Sequence, residues 1–320
     1  MERDLCPKLR GSSALGEKPA SAPIADRRLI GRDDKVKIGL IDVDGHNFPN
    51  LALMKLSAYH KSVGDEVEWW WGWSQYDRVY KSKVFDETYT PDAPDPVNAA
   101  EIVRGGTGYG LDNALPDEIE HIFPDYGLYP DLTKDTAYGF LSRGCPRGCP
   151  FCIVKDKEGL RSRKVADLEE WWNGQKNIVL CDPNLLACPD SMNLLDQLAQ
   201  SKAWVDVNQG VDARLLNEKN VEALRRLKMK KIHFAWDLME QSEKVLSGLR
   251  LWRESGKPIA HGAYGTVYVL VNFNTTMEEN LFRVYALRDI GFDPYVMVYD
   301  KPNARREIKR LQRWCNNKII

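Results

Sequence analysis

The sequence predicts an α/β protein built from two parallel layers in series, a small one near the amino end and a larger one after it. Three observations predict this. From about residue 136 onward, short apolar runs alternate six times with stretches of helical period. A shorter strand, helix, strand pattern precedes them from Val36. The 320 residues leave room for about two domains at ~150 residues each, enough to bury a real core.

Taken in order, residues 1–34 are rich in Pro, Gly, Ser, Ala and charge and lack apolar periodicity, which predicts a mobile arm. Val36 to Asp42 reads as a short strand ending in the polar turn Asp44-Gly-His-Asn-Phe-Pro49. Leu53, Leu56, Tyr59 and Val63 then recur at helical spacing, and Gly64 is placed to end that helix. Glu66 to Trp71, Val79 to Phe85 and Glu101 to Arg104 complete a small parallel sheet within a unit spanning 35–130.

In the larger unit, 131–320, the strands fall at Ala137–Ser142, Asn177–Cys181, Ala203–Asn208, Lys231–Trp236, Thr266–Val271 and Tyr295–Tyr299. Helices are expected at Val165–Asn173, Met192–Gln200, Glu218–Leu227, Ser242–Glu254, Met277–Asp289 and Arg305–Trp314. Strands that look apolar on both faces argue for a parallel layer or barrel, where function gathers at the carboxyl ends of the strands.

Composition narrows the class. No run approaches the ~18 apolar residues of a membrane span, which excludes a transmembrane protein. Lys and Arg total 45 against 46 Asp and Glu, which argues against a phosphate-coating nucleic-acid binder. Seven cysteines, with no apolar segment after Met1 to suggest a secretory signal, point to a cytoplasmic protein with reduced thiols.

Three of those cysteines stand together. Arg143-Gly-Cys-Pro-Arg-Gly-Cys-Pro-Phe-Cys152 places Cys145, Cys149 and Cys152 as C-x3-C-x2-C in the loop after the first strand of the large unit. Glycines and prolines let such a loop turn its thiols inward. Soft thiolates suit iron-sulfur or zinc chemistry, and three rather than four leave one metal position open. Two other readings exist. Cys149-Pro-Phe-Cys152 alone would make a redox pair, but Cys145 would then be superfluous. A structural zinc clip lacks a fourth ligand, since no second C-x2-C or nearby His pair supplies one.

The loop resembles the signature of the radical S-adenosylmethionine (SAM) superfamily, C-x3-C-x2-C with an aromatic residue, here Phe151, before the last cysteine. The resemblance implies a partial (β/α)6 barrel carrying a [4Fe-4S] cluster on Cys145, Cys149 and Cys152. SAM would chelate the fourth iron and be cleaved to a 5'-deoxyadenosyl radical, with electrons from a flavodoxin- or ferredoxin-type donor. It also directs attention to the other strand ends. Asp182 and Asn184 are candidates for the methionyl ammonium, although Asp-Pro-Asn is equally turn chemistry. Arg214 is a candidate for the carboxylate, Asn208 for the ribose or carboxylate, Asp237 for the ribose, and Asn272 for the adenine side.

The small unit is similar to the Rossmann-like, B12-binding-type domain that precedes the barrel in one subgroup. Asp42 and His46 depart from the D-x-H-x-x-G pattern of one cobalamin class, which decides little because many cobalamin-dependent relatives lack that histidine; the unit is short and irregular, and cobalamin is the minority reading. Gly105-Gly-Thr-Gly-Tyr-Gly110 fits no phosphate-loop pattern. The four tryptophans within residues 69–76 are expected to pack a core. Cys181 is expected to be a buried thiol, Cys188 stands near the active face without a second cluster to join, and Cys6 and Cys315 carry no signal. The basic end, from Lys301 to Lys318, is read as a solvated helix face that leaves RNA open as a partner. The substrate is not named by any of this.

Overall fold

A computed structural model describes residues 35–45, 47–259 and 263–317; the arm 1–34, Cys6, His46 and Lys318 lie outside the described residues. The fold is mixed α/β with parallel sheets, as expected. Its small sheet takes β1 (Lys37–Asp42), β2 (Glu66–Trp69), β3 (Tyr76–Ser82) and β4 (Ala99–Gly105) in the order β2-β1-β3-β4, all parallel. Helix α1 (Leu51–Ser62) crosses from β1 to β2. The Asn50 side chain accepts from Leu53 N at its start, an N-cap worth about 1 kcal/mol. The short helices α2 (Asp117–Glu120) and α3 (Pro130–Thr133) follow and lead into the large unit.

That unit opens with β5 (Thr136–Gly139) and then a two-stranded antiparallel ribbon of β6 (Ser142–Arg143) and β7 (Arg163–Lys164), which closes the base of the cysteine loop. The one-turn helix α4 (Val154–Lys157) lies within that loop. Then come β8 (Asn177–Leu180), α5 (Ser191–Ser201), β9 (Trp204–Val211), α6 (Glu218–Arg225), β10 (Lys228–Ala235), α7 (Ser242–Glu254), β11 (Thr266–Val271), α8 (Met277–Asp289), β12 (Asp293–Val298) and α9 (Arg306–Asn316). The large sheet runs β12-β11-β10-β9-β8-β5, every pair parallel.

Alternation within the strands explains the layering. In β11, Val267, Val269 and Val271 are fully buried while Thr266, Tyr268 and Leu270 are only partly covered. The valines pack with Val245, Leu249, Trp252, Val284 and Leu287 of α7 and α8, so the helices cover one face of the sheet. Each such side chain contributes about 1.5–3 kcal/mol by leaving water. A capping box joining Thr276 and Glu279 sets the start of α8. In α9, Ile308, Leu311 and Cys315 face the core and Arg306, Arg310 and Arg313 face solvent, the amphipathic pattern expected of the basic end.

Two expectations are corrected. Residues 165–173 form no α-helix but a single 3-10 turn at Leu168–Glu170. Trp171 is drawn down onto β5 so closely that a Cβ on Gly139 would lie 2.3 Å from its ring, and a helix continuing through it could not make that contact. The tryptophans do not form a core either. β2 is an edge strand that stops at Trp69, and Trp71 and Trp73 in the turn beyond are 60% and 87% exposed. Among the described residues, no helix is long and apolar enough to cross a membrane.

Candidate functional site at the carboxyl ends of the large sheet

The cysteine loop leaves β5 at the carboxyl edge of the sheet and is pinned at both ends. Gly144 adopts φ +86°, and a Cβ there would lie 2.2 Å from the Arg161 carbonyl oxygen, so only glycine fits. Its N–H donates to Glu158 Oε2 at 2.9 Å, while the other oxygen of that carboxylate accepts from Arg143 Nη1 at 3.0 Å. Cys145 N donates to Gly159 O at 3.2 Å, and Cys152 N closes a turn onto Cys149 O at 3.0 Å. Lys157 of α4 donates to the carbonyls of Leu111 and Asn113, tying the loop after β4 to the back of the cysteine loop.

Cys145, Cys149 and Cys152 are free and half-buried, and burial pushes the Cys149 and Cys152 thiols up. Low-pKa attack chemistry gains nothing from this setting; a bound metal would supply the positive charge that two such thiolates need. Among the described residues, no three His, Cys, Asp or Glu side chains converge tightly enough to hold one ion. A cubane takes its thiolates on separate irons, so its ligands stand apart rather than converge.

The structure gathers several polar residues around this loop. Asn184 is buried; its Nδ2 donates to Cys145 Sγ at 3.4 Å and to Asp212 Oδ2 at 3.5 Å, while its Oδ1 is buried with no hydrogen-bond partner. Arg214 donates from Nε to Asp212 Oδ1 at 2.6 Å and from Nη2 to Oδ2 at 3.0 Å. Arg147 of the loop donates to the same carboxylate at 2.6 Å. Burial alone would raise the Asp212 carboxyl, but the hydrogen bond and charge of Arg214, with Arg147, hold it below the usual range. Burial pushes Asp237 up to about 6, with Arg283 and Arg214 opposing, and its charge acts on Cys149 and Cys152. Phe151 packs edge-on against Phe273 at 5.2 Å, which in turn meets Tyr299 at 5.0 Å. Asn272, at φ +67°, donates to Tyr299 O at 2.8 Å and ties the ends of β11 and β12 together.

Two of the sequence candidates sit elsewhere. Asp182 is 1% exposed, and its oxygens accept from Leu141 N at 2.8 Å, from Ser142 N at 2.5 Å and from the Ser142 hydroxyl. It thus grips the two residues entering the loop. Asn208 lines a cavity on the helix-free side of the sheet instead. Cys181 and Cys188 are buried thiols within or beside the core. Sequence reasoning missed Asp212 and Glu158. Asp212 stands two residues before Arg214, and a carboxylate so close to a candidate guanidinium was the available signal. Glu158 has no such signal, because its partners are backbone and Arg143 brought round by the loop.

The fold and site together define an α/β protein with a pinned three-thiol loop at the carboxyl edge of a parallel sheet. No family model matches the sequence. The chain is 26% identical over 189 residues to the ribosomal protein uS12 methylthiotransferase RimO of Thermotoga petrophila, covering 54% of this chain and 42% of that protein. It is 27% identical over 169 residues to the protein of the same name from Thermotoga maritima, covering 48% of this chain and 37% of that protein. The chain thus spans about two fifths of the length of these curated relatives.

Proposed function

We propose that the chain is a radical SAM enzyme whose cluster is held by Cys145, Cys149 and Cys152, on a partial (β/α)6 barrel preceded by a Rossmann-like domain. One observation carries the reading: a three-thiol loop at the carboxyl end of the first strand of an all-parallel sheet, with the partnerless Asn184 carbonyl buried beside it. The distant similarity to two methylthiotransferases supports the superfamily and an enzyme, and nothing finer.

When bound, the [4Fe-4S] cluster and SAM supply one-electron cleavage of the sulfonium and a carbon radical able to abstract hydrogen. The chain's own residues bind and orient. Asn184 Oδ1 accepts from the methionyl ammonium, the hydrogen bond it otherwise lacks. Arg214, held flat by Asp212 and by Gln241, keeps further N–H groups for the carboxylate. Asp237 would take the ribose hydroxyls, and Asn272, bonded to Tyr299 O, would hold the adenine-side turn in shape. Phe151, Phe273 and Tyr299 keep water from the loop. Asp182 acts through Leu141 and Ser142 as a positioning residue. A flavodoxin- or ferredoxin-type protein supplies the electron.

The test is anaerobic purification, reconstitution with iron and sulfide, and addition of SAM with a strong reductant. Wild type is expected to release 5'-deoxyadenosine, and Cys149→Ala to release none. A fully loaded wild type that leaves SAM intact would overturn the proposal.

A further inference from the structure

The face of the large sheet away from its helices carries a cavity of about 460 Å³, within the usual size range of small-ligand sites. It is lined by Asn208, Gln209, Lys231, His233, Tyr268 and Tyr295, among others. The partners of these groups separate wall from contact surface. His233 Nδ1 lies 3.0 Å from the Val207 carbonyl, which can only accept, so Nδ1 carries a proton; it also stands 3.8 Å from Asp206 Oδ1, and Nε2 has no hydrogen-bond partner among the described residues. The His233 ring stacks on Tyr268 at 5.1 Å with 6° between the planes, and Tyr295 meets Tyr268 edge-on at 5.9 Å. The Tyr268 hydroxyl is engaged with Asn208 O at 3.3 Å. By contrast, the side-chain amides of Asn208 and Gln209 and the Thr266 hydroxyl make no hydrogen bond among the described residues. The Lys231 side chain is 61% exposed and stands 4.0 Å from Asp206 Oδ2.

Two free amides beside an aromatic wall supply donors and acceptors of the kind that read the edge of a flat heterocycle, with rings to stack against its face. A lysine at the rim adds one cation, enough for one phosphate and too little for a tracked backbone. We propose that this cavity is the substrate pocket, and that the substrate is bound through a nucleobase read by Asn208 and Gln209 against the His233–Tyr268 wall. The inference rests on the radical SAM reading for the word substrate; the binding itself does not.

Equilibrium titration of the full chain tests it, with the four ribonucleoside 5'-monophosphates in one arm and a mixed-sequence single-stranded RNA in another. A lysine-rich decapeptide forms the third arm. Saturable binding of a nucleotide, the RNA or both is expected, and which arm binds tells a free nucleotide from a polymer. Gln209→Ala, an exposed position that leaves the fold intact, is expected to weaken it about tenfold, and Tyr268→Leu at least as much. Lys231→Ala should weaken the nucleotide but not the matching nucleoside. Cys149→Ala should bind as wild type does; in the reconstituted wild type, binding without SAM cleavage sinks the enzyme reading alone, and cleavage without binding sinks the pocket alone. The pocket is also overturned if only the peptide binds, or if binding is confined to adenine and indifferent to Gln209→Ala.

Discussion

Both parallel sheets bury an apolar face against helices, but the small one also buries a charged face under loops. In the large sheet the helix-side face is dry, with Val267, Val269 and Val271 pressed onto α7 and α8. In the small sheet, Lys81 and Lys83 of the β3 end are 1% and 0% exposed, and Arg78 is 7% exposed. The reason is connectivity. After β2 and β3 the small unit sends loops rather than helices back across the sheet, and loops bring carboxylates. Lys81 Nζ sits 3.0 Å from Asp92 and 3.1 Å from Asp95, and Lys83 Nζ sits 2.6 Å from Glu87. Where a helix covers a strand, methyl groups fill the contact; where a loop covers it, a long cation threads through and is neutralised at its tip. The dry sheet supplies a rigid edge for the thiol loop, and the ionic one meets that loop through Lys157 and through Arg143, which lies 3.5 Å from Glu120.

The sharpest break in this contrast is expected at the rigid edge. Gly144→Ala forces a Cβ into the Arg161 carbonyl at positive φ and should cost about 3 kcal/mol, read as a lowered melting temperature together with loss of iron after reconstitution. Asp212→Ala removes the shared partner of Arg147, Arg214 and Asn184 and should lower SAM cleavage about 100-fold, and it should lower the melting temperature too because it strands the half-buried Arg214. In the ionic sheet, Lys81→Ala leaves a void and should cost about 2–4 kcal/mol in denaturant unfolding. Lys81→Met should cost about 1 kcal/mol or less, because Asp92 and Asp95 are exposed enough to regain water. Equal losses in the two variants would show that the ion pairs themselves hold the sheet.

The smallest effect is a pH dependence. His60 is 1% exposed, its ring bonded to Asp65 at 2.7 Å and to Tyr80 at 2.9 Å. Burial holds its pKa below the ordinary 6.5, against the pull of Asp65. The unfolded chain therefore takes up a proton at a pH where the folded one does not, and stability is fully present above 6.5 and falls as pH drops through that value. His60→Gln should flatten that part of the curve.

The same contrast explains what could be read from the sequence. The large unit was legible because each crossover is a helix: Ser242–Glu254, Met277–Asp289 and the strand Thr266–Val271 fall at their expected bounds. The exception, 165–173, carries helical spacing, but contact between Trp171 and Gly139 is a tertiary matter that no local pattern encodes. The tryptophans misled for a related reason. Aromatic alternation reads as burial, but only pairing reveals that β2 is an edge. At the site, the cysteine spacing was a local signal and stood out at once. Asp212 and the opened amide of Asn184 gain their roles only when β8 and β9 come side by side, and the cavity at His233 needs four strands in register.

The thiol loop owes its shape to the β6–β7 ribbon, to Glu158 and to Gly144, none of which is a metal ligand in the proposed scheme. The loop is thus braced by the chain's own contacts, independently of whatever its thiols hold.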